Sequence, residues 1–369
     1  MNSAAQTSAV LTHHWLVARR GGEKVLAAMR ELYPAAPIYT LIQGREVRDE
    51  WGDVRSSPLR FFPGAARLYP KLLPLLPLAA RAVRLPDADL VLCSDAAIAK
   101  AMTHAPRSRV VCYCHSPMRY VWEPRISEIY RASLPRPLRP LWPMVCASLR
   151  RADLRASKRV DQFVANSQAV AERIRRCYGR DSVVIYPPVD LPDSPSMGPR
   201  EDFYLCVGHH VVYKRLDLAV EACVRLRRRL IVIGEGPQVA PLRAKFGATS
   251  GIEFLGYQPD AVVHDHYRRA RALLFAGEED FGIVPVEAMA RGCPVIALAA
   301  GGARETVIDG ETGVWFASQD VDALADAMQR ADHCTFDPAR MLAAMQRFSR
   351  ARFLDEMRSV IAAALKVRL

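Results

Sequence analysis

No apolar run in this chain reaches the ~18–20 residues that a membrane-spanning helix requires, which excludes a transmembrane segment at the level of sequence. The amino terminus, Met1-Asn2-Ser3-Ala4-Ala5-Gln6-Thr7, lacks the basic-then-apolar layout of a secretion signal. Cysteine is sparse and unpaired in pattern: nine residues, an odd number, without metal-ligand spacing. Cys112 and Cys114 alternate as on a strand, so their thiols face opposite sides and make poor joint ligands. Internal repeats and low-complexity tracts are also missing. These absences predict a reduced, cytosolic protein without a disulfide framework or a structural metal.

What is present in excess is positive charge, and it is unevenly placed. Of the net +12, residues 1–190 hold 29 Lys/Arg against 16 Asp/Glu, whereas residues 191–369 hold 22 against 23. The whole surplus lies in the first half. Either that half carries a plain solvated basic surface, or it meets something anionic, such as a membrane or a phosphate-linked acceptor. No RNA- or DNA-binding signature accompanies the charge, so nucleic acid is not expected.

Short β-branched or apolar runs alternate with helix-length amphipathic stretches. Strands are predicted at 9–11, 38–42, 90–93, 110–114, 162–165 and 183–186, then at 204–207, 230–233, 253–255, 272–275 and 295–298. Helical patterns lie between most of them, as at 23–33, 169–177 and 217–228. That alternation predicts an α/β chain with two parallel, doubly wound sheets. The join is expected in the proline-rich stretch 187–200, which gives domains of 1–190 and 191–369. The last stretch, about 350–369, is expected as a helix that packs back on the first domain. Segment 58–86 departs from the alternation. Arg60, Arg67, Lys71, Arg81 and Arg84 interrupt an apolar stretch whose prolines forbid one long helix. It either packs under the sheet or rests on a bilayer.

The stretch from Glu279 to Gly292 carries the chemistry. It leaves the carboxyl end of the strand at 272–275, where open α/β sheets bind ligands. Pro285 suits a first helical position and Gly292 a carboxyl cap, which puts Glu287 in the first turn and Glu279 in the loop before it. Free amides at Gly282, Ile283 and Val284 would then point at an anion. Two carboxylates flanking such amides suit a sugar phosphate, the carboxylates taking hydroxyls and the amides taking phosphate.

Here the chain resembles family 4 of the GT-B glycosyltransferases, whose motif of two glutamates separated by seven residues is matched by Glu279 and Glu287. The resemblance extends to Lys214-Arg215-Leu216-Asp217, Gly234-Glu235-Gly236-Pro237 and Gly301-Gly302. In the first half it includes Arg20-Gly21-Gly22-Glu23-Lys24, Tyr113-Cys114-His115-Ser116-Pro117 and Ala165-Asn166-Ser167. The glycine motif and Tyr186-Pro187-Pro188-Val189-Asp190 look most like bacterial mannosyltransferases of surface-polysaccharide assembly.

The resemblance implies two Rossmann-like domains facing a cleft, the first binding acceptor and the second a nucleotide-sugar donor. It implies retaining transfer of a hexose without metal or other cofactor. Glu279, with Phe281 and the 282–284 amides beside it, would hold the donor sugar and phosphate, and Glu287 the ribose. Lys214 would neutralise the diphosphate. Gly21 and Gly22 would admit backbone amides to it, and His115 would stand by the anomeric carbon and acceptor. GDP-mannose is the expected donor, and a saccharide or lipid-linked saccharide at the inner face of the cytoplasmic membrane the expected acceptor. A UDP-sugar transferase and a non-catalytic nucleotide-sugar-binding subunit are the alternatives.

One position departs from the family pattern. Where members usually carry arginine, five residues before the lysine, this chain has His209, whose neutral imidazole donates one hydrogen bond and brings no fixed charge near pH 7. Two motifs are read as decoys. Asp87-Ala88-Asp89 imitates a metal-binding pair but precedes a strand in a turn-like context. Gly234-Glu235-Gly236 imitates a dinucleotide fingerprint but lacks the third glycine and runs into Pro237.

Overall fold

Runs such as Leu90-Val91-Leu92-Cys93 have no polar face, and a strand of that kind is stable only when both faces of its sheet are covered. In the computed structural model, which describes residues 7–18, 21–44, 50–62 and 64–366, that is how they are used. Arg20 of the glycine motif, and the side chains of Arg67 and Lys71, lie outside the described residues.

The chain divides into two compact units, one formed by residues up to 188 together with those from 351 onward, the other by residues 189–350. Unit 1 holds strands β1 (Ala9–His13), β2 (Ile38–Thr40), β3 (Val54–Ser56), β4 (Leu90–Asp95), β5 (Arg109–Cys114), β6 (Gln162–Ala165) and β7 (Ser182–Val184). Unit 2 holds β8 (Phe203–Val207), β9 (Arg229–Ile233), β10 (Ile252–Gly256), β11 (Ala272–Phe275), β12 (Val295–Leu298) and β13 (Gly313–Phe316). Every strand expected from the pattern is there; β3 and β13 are additions.

The first sheet runs β3-β2-β1-β4-β5-β6-β7 and the second β10-β9-β8-β11-β12-β13, with parallel pairing throughout. In each, the order reverses once: between β1 and β4 in unit 1, and between β8 and β11 in unit 2. Two Rossmann-like doubly wound sheets are therefore present, and each has one switch point at which loops diverge and leave a crevice beyond the strand ends.

Unit 1 is not complete at residue 188. The helix Arg350–Lys366 belongs to it and buries Phe353, Met357 and Ile361 in the same cluster as Leu11, Leu92, Val111 and Tyr113. The Phe353 ring meets the Tyr113 ring edge-on at 5.7 Å. The Tyr113 hydroxyl donates to the Ile185 carbonyl at 2.9 Å, so this buried phenol is satisfied.

Segment 58–86 is broken, as its prolines require, into the 3-10 turns Pro58–Phe61 and Tyr69–Leu75 and the short helices Ala65–Leu68 and Leu76–Ala82. Part of it is packed in the core and part is exposed. Leu72, Leu73, Leu76 and Ala80 are buried in the unit 1 core, while Phe61, Phe62, Leu75 and Leu78 are exposed. Among the described residues no helix is long and apolar enough to cross a membrane.

Candidate active site

The two switch points collect most of the residues singled out in the sequence, each within its own unit. In unit 2, the loop after β8 leads into the turn Val212–Lys214, and the loop after β11 carries Glu279. Lys214 Nζ stands 2.9 Å from Glu279 Oε1. The backbone is shaped to bring them together. A Cβ on Gly277 would come within 2.6 Å of Lys214 Cα, so only glycine lets the β11 loop lie against this lysine. Arg215 follows at φ 54°, a left-handed conformation costing on the order of 1 kcal/mol for a residue with a side chain. Its guanidinium is folded onto Asp217 at 2.9–3.1 Å and onto the Gln319 carbonyl, which fixes the turn beside Lys214. A small cavity there is lined by Lys214, Glu279, His210, Gly277 and neighbours.

The two glycine pairs hold these loops in register. A Cβ on Gly302 would lie 2.3 Å from Phe281 Cα, and Gly302 N donates to the Glu279 carbonyl at 2.9 Å. Gly234 presses on Gly208 and Gly236 on His210 at similarly forbidding distances. The Gly234-Glu235-Gly236 motif is therefore a backbone-packing device against the β8 loop, which accounts for its incomplete dinucleotide pattern.

The helix after Glu279 begins earlier than its proline suggests. It spans Ile283–Ala290, with Gly282 as its cap at φ 85°. Pro285 is thus the third helical residue, and Glu287 falls in the second turn, corrections to the expected first position and first turn. The reason is that the amides of Gly282, Ile283 and Val284 donate to no described residue, as a helix start requires, and Pro285 has no amide to leave unpaired. Glu287 is buried, with Arg291 donating to its carbonyl at 3.1 Å. The Phe281 ring is buried edge-on against Phe348 at 5.3 Å and packs the loop.

The two histidines after Gly208 part company. His209 is exposed. His210 is buried and within 3.0 Å of the Ile233 carbonyl through Nε2. Burial lowers His210 to about 4, so the ring is neutral and donates that bond.

In unit 1, His13 ends β1 and His14 follows it, Ser94 and Asp95 close β4, and His115 follows β5. The helix Gly21–Leu32 opens beside them, and a Cβ on Gly22 would lie 3.5–3.8 Å from the rings of His13, His14 and His115. His115 is fixed by its backbone: its amide donates to the Asp95 carbonyl at 2.8 Å, and Asn166 Nδ2 donates to its carbonyl at 3.0 Å. Ser167 then caps the helix Gln168–Tyr178, and Ser116 accepts from the buried Arg173 at 2.6 Å. The motifs Tyr113–Pro117 in number order and Ala165-Asn166-Ser167 thus form one structure. Burial, reinforced by His14 and His13, lowers His115 to about 3, so this ring too is neutral.

Behind this cluster lies a group that the sequence reading missed. Lys100 is buried between Asp95 at 2.9 Å and Asp153 at 2.6 Å. Asp153 also accepts from Trp122 and from Tyr178, each at 2.8 Å. Burial opposes charge on Asp95, yet Lys100, His14 and two backbone amides hold it down to about 2. Asp95 also lies near Cys93 and Cys112, but its oxygens are already engaged by Lys100 and these amides. His13, His14 and Ser94 had no signal in the sequence beyond polar residues ending apolar strands.

Asp87 and Asp89 sit before the amino end of the central strand β4. Arg107 engages Asp87, and Asp89 accepts from Ser8 at 2.8 and 3.0 Å. They are turn residues remote from the strand carboxyl ends.

Comparison with known proteins agrees with this architecture. The family model described as Glycosyltransferase Family 4 matches residues 13–192, and that described as Glycosyl transferases group 1 matches residues 193–347. A D-inositol 3-phosphate glycosyltransferase of Kribbella flavida is 32% identical over 200 residues, covering 46% of this chain and 47% of that protein. A GDP-mannose-dependent alpha-(1-6)-phosphatidylinositol monomannoside mannosyltransferase of Mycolicibacterium smegmatis is 34% identical over 184 residues, covering 46% and 43%. The chain thus spans about half the length of the curated relatives it matches. Among solved structures, HepE of Anabaena in complex with UDP-glucose superposes with a TM-score of 0.69 at 18% identity, over 96% of this chain and all of that one. The lipopolysaccharide outer core galactosyltransferase WaaB gives 0.65 at 17%, over 96% and 99%.

Proposed function

Because the chain is a family 4 glycosyltransferase of the GT-B fold, we propose that it moves a hexose, mannose from GDP-mannose, onto a lipid-linked or polysaccharide acceptor with retention of anomeric configuration. The observation that carries this reading is the pairing of Lys214 with Glu279 at 2.9 Å, next to the unpaired amides of Gly282, Ile283 and Val284. A cation and three amides suit a diphosphate, and an adjoining carboxylate suits the hydroxyls of the sugar attached to it. The mannose preference is supported by the relative whose name specifies GDP-mannose. The solved neighbours named for UDP and UDP-glucose make a UDP-sugar the rival donor. Membership of a transferase family sets aside a purely binding subunit.

The chemistry is a front-side displacement. The bond from the anomeric carbon to the leaving phosphate oxygen breaks as the acceptor oxygen bonds to the same face. The acceptor proton passes to the departing diphosphate. Lys214 and the amides stabilise the charge that develops there, the part a metal plays elsewhere. His115, neutral and at the crevice of unit 1, addresses the sugar or acceptor by hydrogen bonding rather than by charge.

A peripheral contact with membrane is the second part of the proposal, and the exposed apolar surface of unit 1 favours it. Phe61, Leu78 and Met144 are 74%, 66% and 72% exposed, and Phe62, Leu75, Leu138 and Leu141 accompany them. Arg60, Arg81, Arg84 and Arg136 are exposed in the same segments. Apolar side chains among arginines suit an anionic bilayer surface at the inner face of the cytoplasmic membrane.

A thermal-shift screen of GDP-mannose, UDP-glucose and UDP-galactose tests the donor, since binding to the folded state alone raises the melting temperature. GDP-mannose should stabilise most and yield an α-mannosyl product by NMR. Stabilisation by a UDP-sugar alone, or an inverted product, would overturn the corresponding part. Sedimentation with liposomes should rise with anionic lipid and fall with salt; equal binding to neutral vesicles would refute the membrane part.

A further inference from the structure

Ser94 Oγ lies 2.9 Å from His13 Nδ1 and 2.8 Å from His115 Nε2. The hydroxyl bridges two imidazoles from different strands, and Ser94 and His13 are fully buried. One hydroxyl carries one proton. It can donate to only one of the two nitrogens, so the other must carry a hydrogen and donate to the oxygen. The protonation of the two rings is therefore linked.

Glu23, on the helix Gly21–Leu32, decides the direction. Its Oε1 is 3.9 Å from His13 Nε2, and both groups are buried. That nitrogen makes no hydrogen bond to any described residue. In a setting of low dielectric, a carboxylate at this distance favours the hydrogen on Nε2. His13 Nδ1 then has only a lone pair and accepts from Ser94. Ser94, its proton committed, accepts from His115 Nε2–H. His14 does not compete, because its Nδ1 faces the Ser94 carbonyl at 3.4 Å rather than the hydroxyl. Asp95 does not compete either, being engaged by Lys100 and backbone amides.

We propose that Glu23, His13 and Ser94 are positioning residues that fix His115 as its Nε2–H tautomer and so present Nδ1 as a hydrogen-bond acceptor. Among the described residues His115 Nδ1 has no partner. The group it meets is then a donor, a hydroxyl, and not a phosphate oxygen, which can only accept. The inference rests on the transfer reading only in calling that hydroxyl a sugar's; the tautomer stands or falls by itself.

Long-range proton–nitrogen correlation spectra of the full chain, labelled with nitrogen-15 histidine at neutral pH, read the tautomers directly. Single His→Asn variants at positions 13 and 115 assign the signals. His13 and His115 should both show the Nε2–H pattern. In Glu23→Gln the loss of charge should move His13 toward Nδ1–H, and His115 should move with it by a similar fraction. Ser94→Ala should uncouple the two, and Ser94→Thr, which keeps the hydroxyl, should restore the wild-type pattern. An Nδ1–H signal for His115 in the unaltered protein would overturn the proposal, and that measurement needs no variant to fold. A His115 signal that stays fixed while His13 shifts would overturn it as well. Kinetically, Glu23→Gln should lower turnover at least tenfold with donor KM held within twofold; unchanged turnover would defeat the positioning role. If the tautomers are as stated and no nucleotide sugar is turned over, the transfer reading fails and this one remains.

Discussion

Lys214 Nζ and Glu279 Oε1 are 2.9 Å apart, each side chain about one fifth exposed, so the cation and the carboxylate proposed for the donor already hold one another. Groups in contact do not act independently. Glu279→Ala should lower turnover by at least about 10²-fold, the scale of losing one oriented electrostatic contact. Its melting temperature should stay within a few degrees of wild type, because Glu279 lies in a loop outside the core. Lys214→Ala should raise donor KM as well as lower turnover, and the double variant should lose less than the product of the two effects. Steady-state kinetics on the four proteins decides it. Wild-type turnover in folded Glu279→Ala would remove this residue from the site.

Activity should survive EDTA. Lys214 and the 282–284 amides supply the positive field, while Asp87 and Asp89 are occupied by Arg107 and Ser8 before the amino end of β4. Asp89→Asn should change turnover less than twofold. Loss in EDTA that Mg²⁺ or Mn²⁺ restores would contradict the assignment.

His209 is exposed on the loop that leads to Lys214, where the family pattern has arginine. His209→Arg should lower donor KM by roughly threefold to tenfold, as expected when a permanent charge-assisted contact replaces a neutral one. His209→Ala should raise it. Identical donor KM in all three proteins would show that His209 takes no part.

His210 bears on stability rather than catalysis. An exposed histidine in the unfolded chain titrates near 6.5, whereas the folded ring is held at about 4. As pH falls through 6.5 the unfolded chain takes up the proton first. The stability tied to this ring is therefore complete above about pH 6.5 and is lost toward pH 4, by roughly 3 kcal/mol at most. His115, held at about 3, acts in the same sense over a window reaching lower. Chemical denaturation at pH 7 and pH 5 should show His210→Gln losing less stability on acidification than wild type. Parallel losses would reject the assignment.

Strand positions were readable because their residues are uniformly apolar: 162–165, 272–275 and 295–298 match β6, β11 and β12 end to end. β3 escaped notice because it is three residues long, lies at the sheet edge and has Arg55 at its centre. β13 escaped because it begins at Gly313, which a strand pattern penalises. Glu279 and Lys214 were legible through their motifs, but their contact was not, since it depends on β8 pairing with β11. Ser94 and His13 were illegible for a related reason. Neither residue type is distinctive at a strand end, and only the β1–β4 pairing places one beside the other. The Lys100 network was hidden by the usual habit of lysine to stay in water.

The return of the chain to unit 1 has a consequence for the order in which the protein matures. Val189 N donates to the Phe348 carbonyl at 3.0 Å, and Val189 is bridged to Ser349, so unit 2 begins and ends at one place. It can close as soon as residue 350 is available. Unit 1, although most of it is made earlier, lacks Phe353, Met357 and Ile361 until the final helix is free, and its Tyr113 ring has no Phe353 to pack against. Domains made on the ribosome usually fold in order from the amino terminus. Here unit 2 has all its residues once 350 is made, whereas unit 1 also needs the later helix Arg350–Lys366.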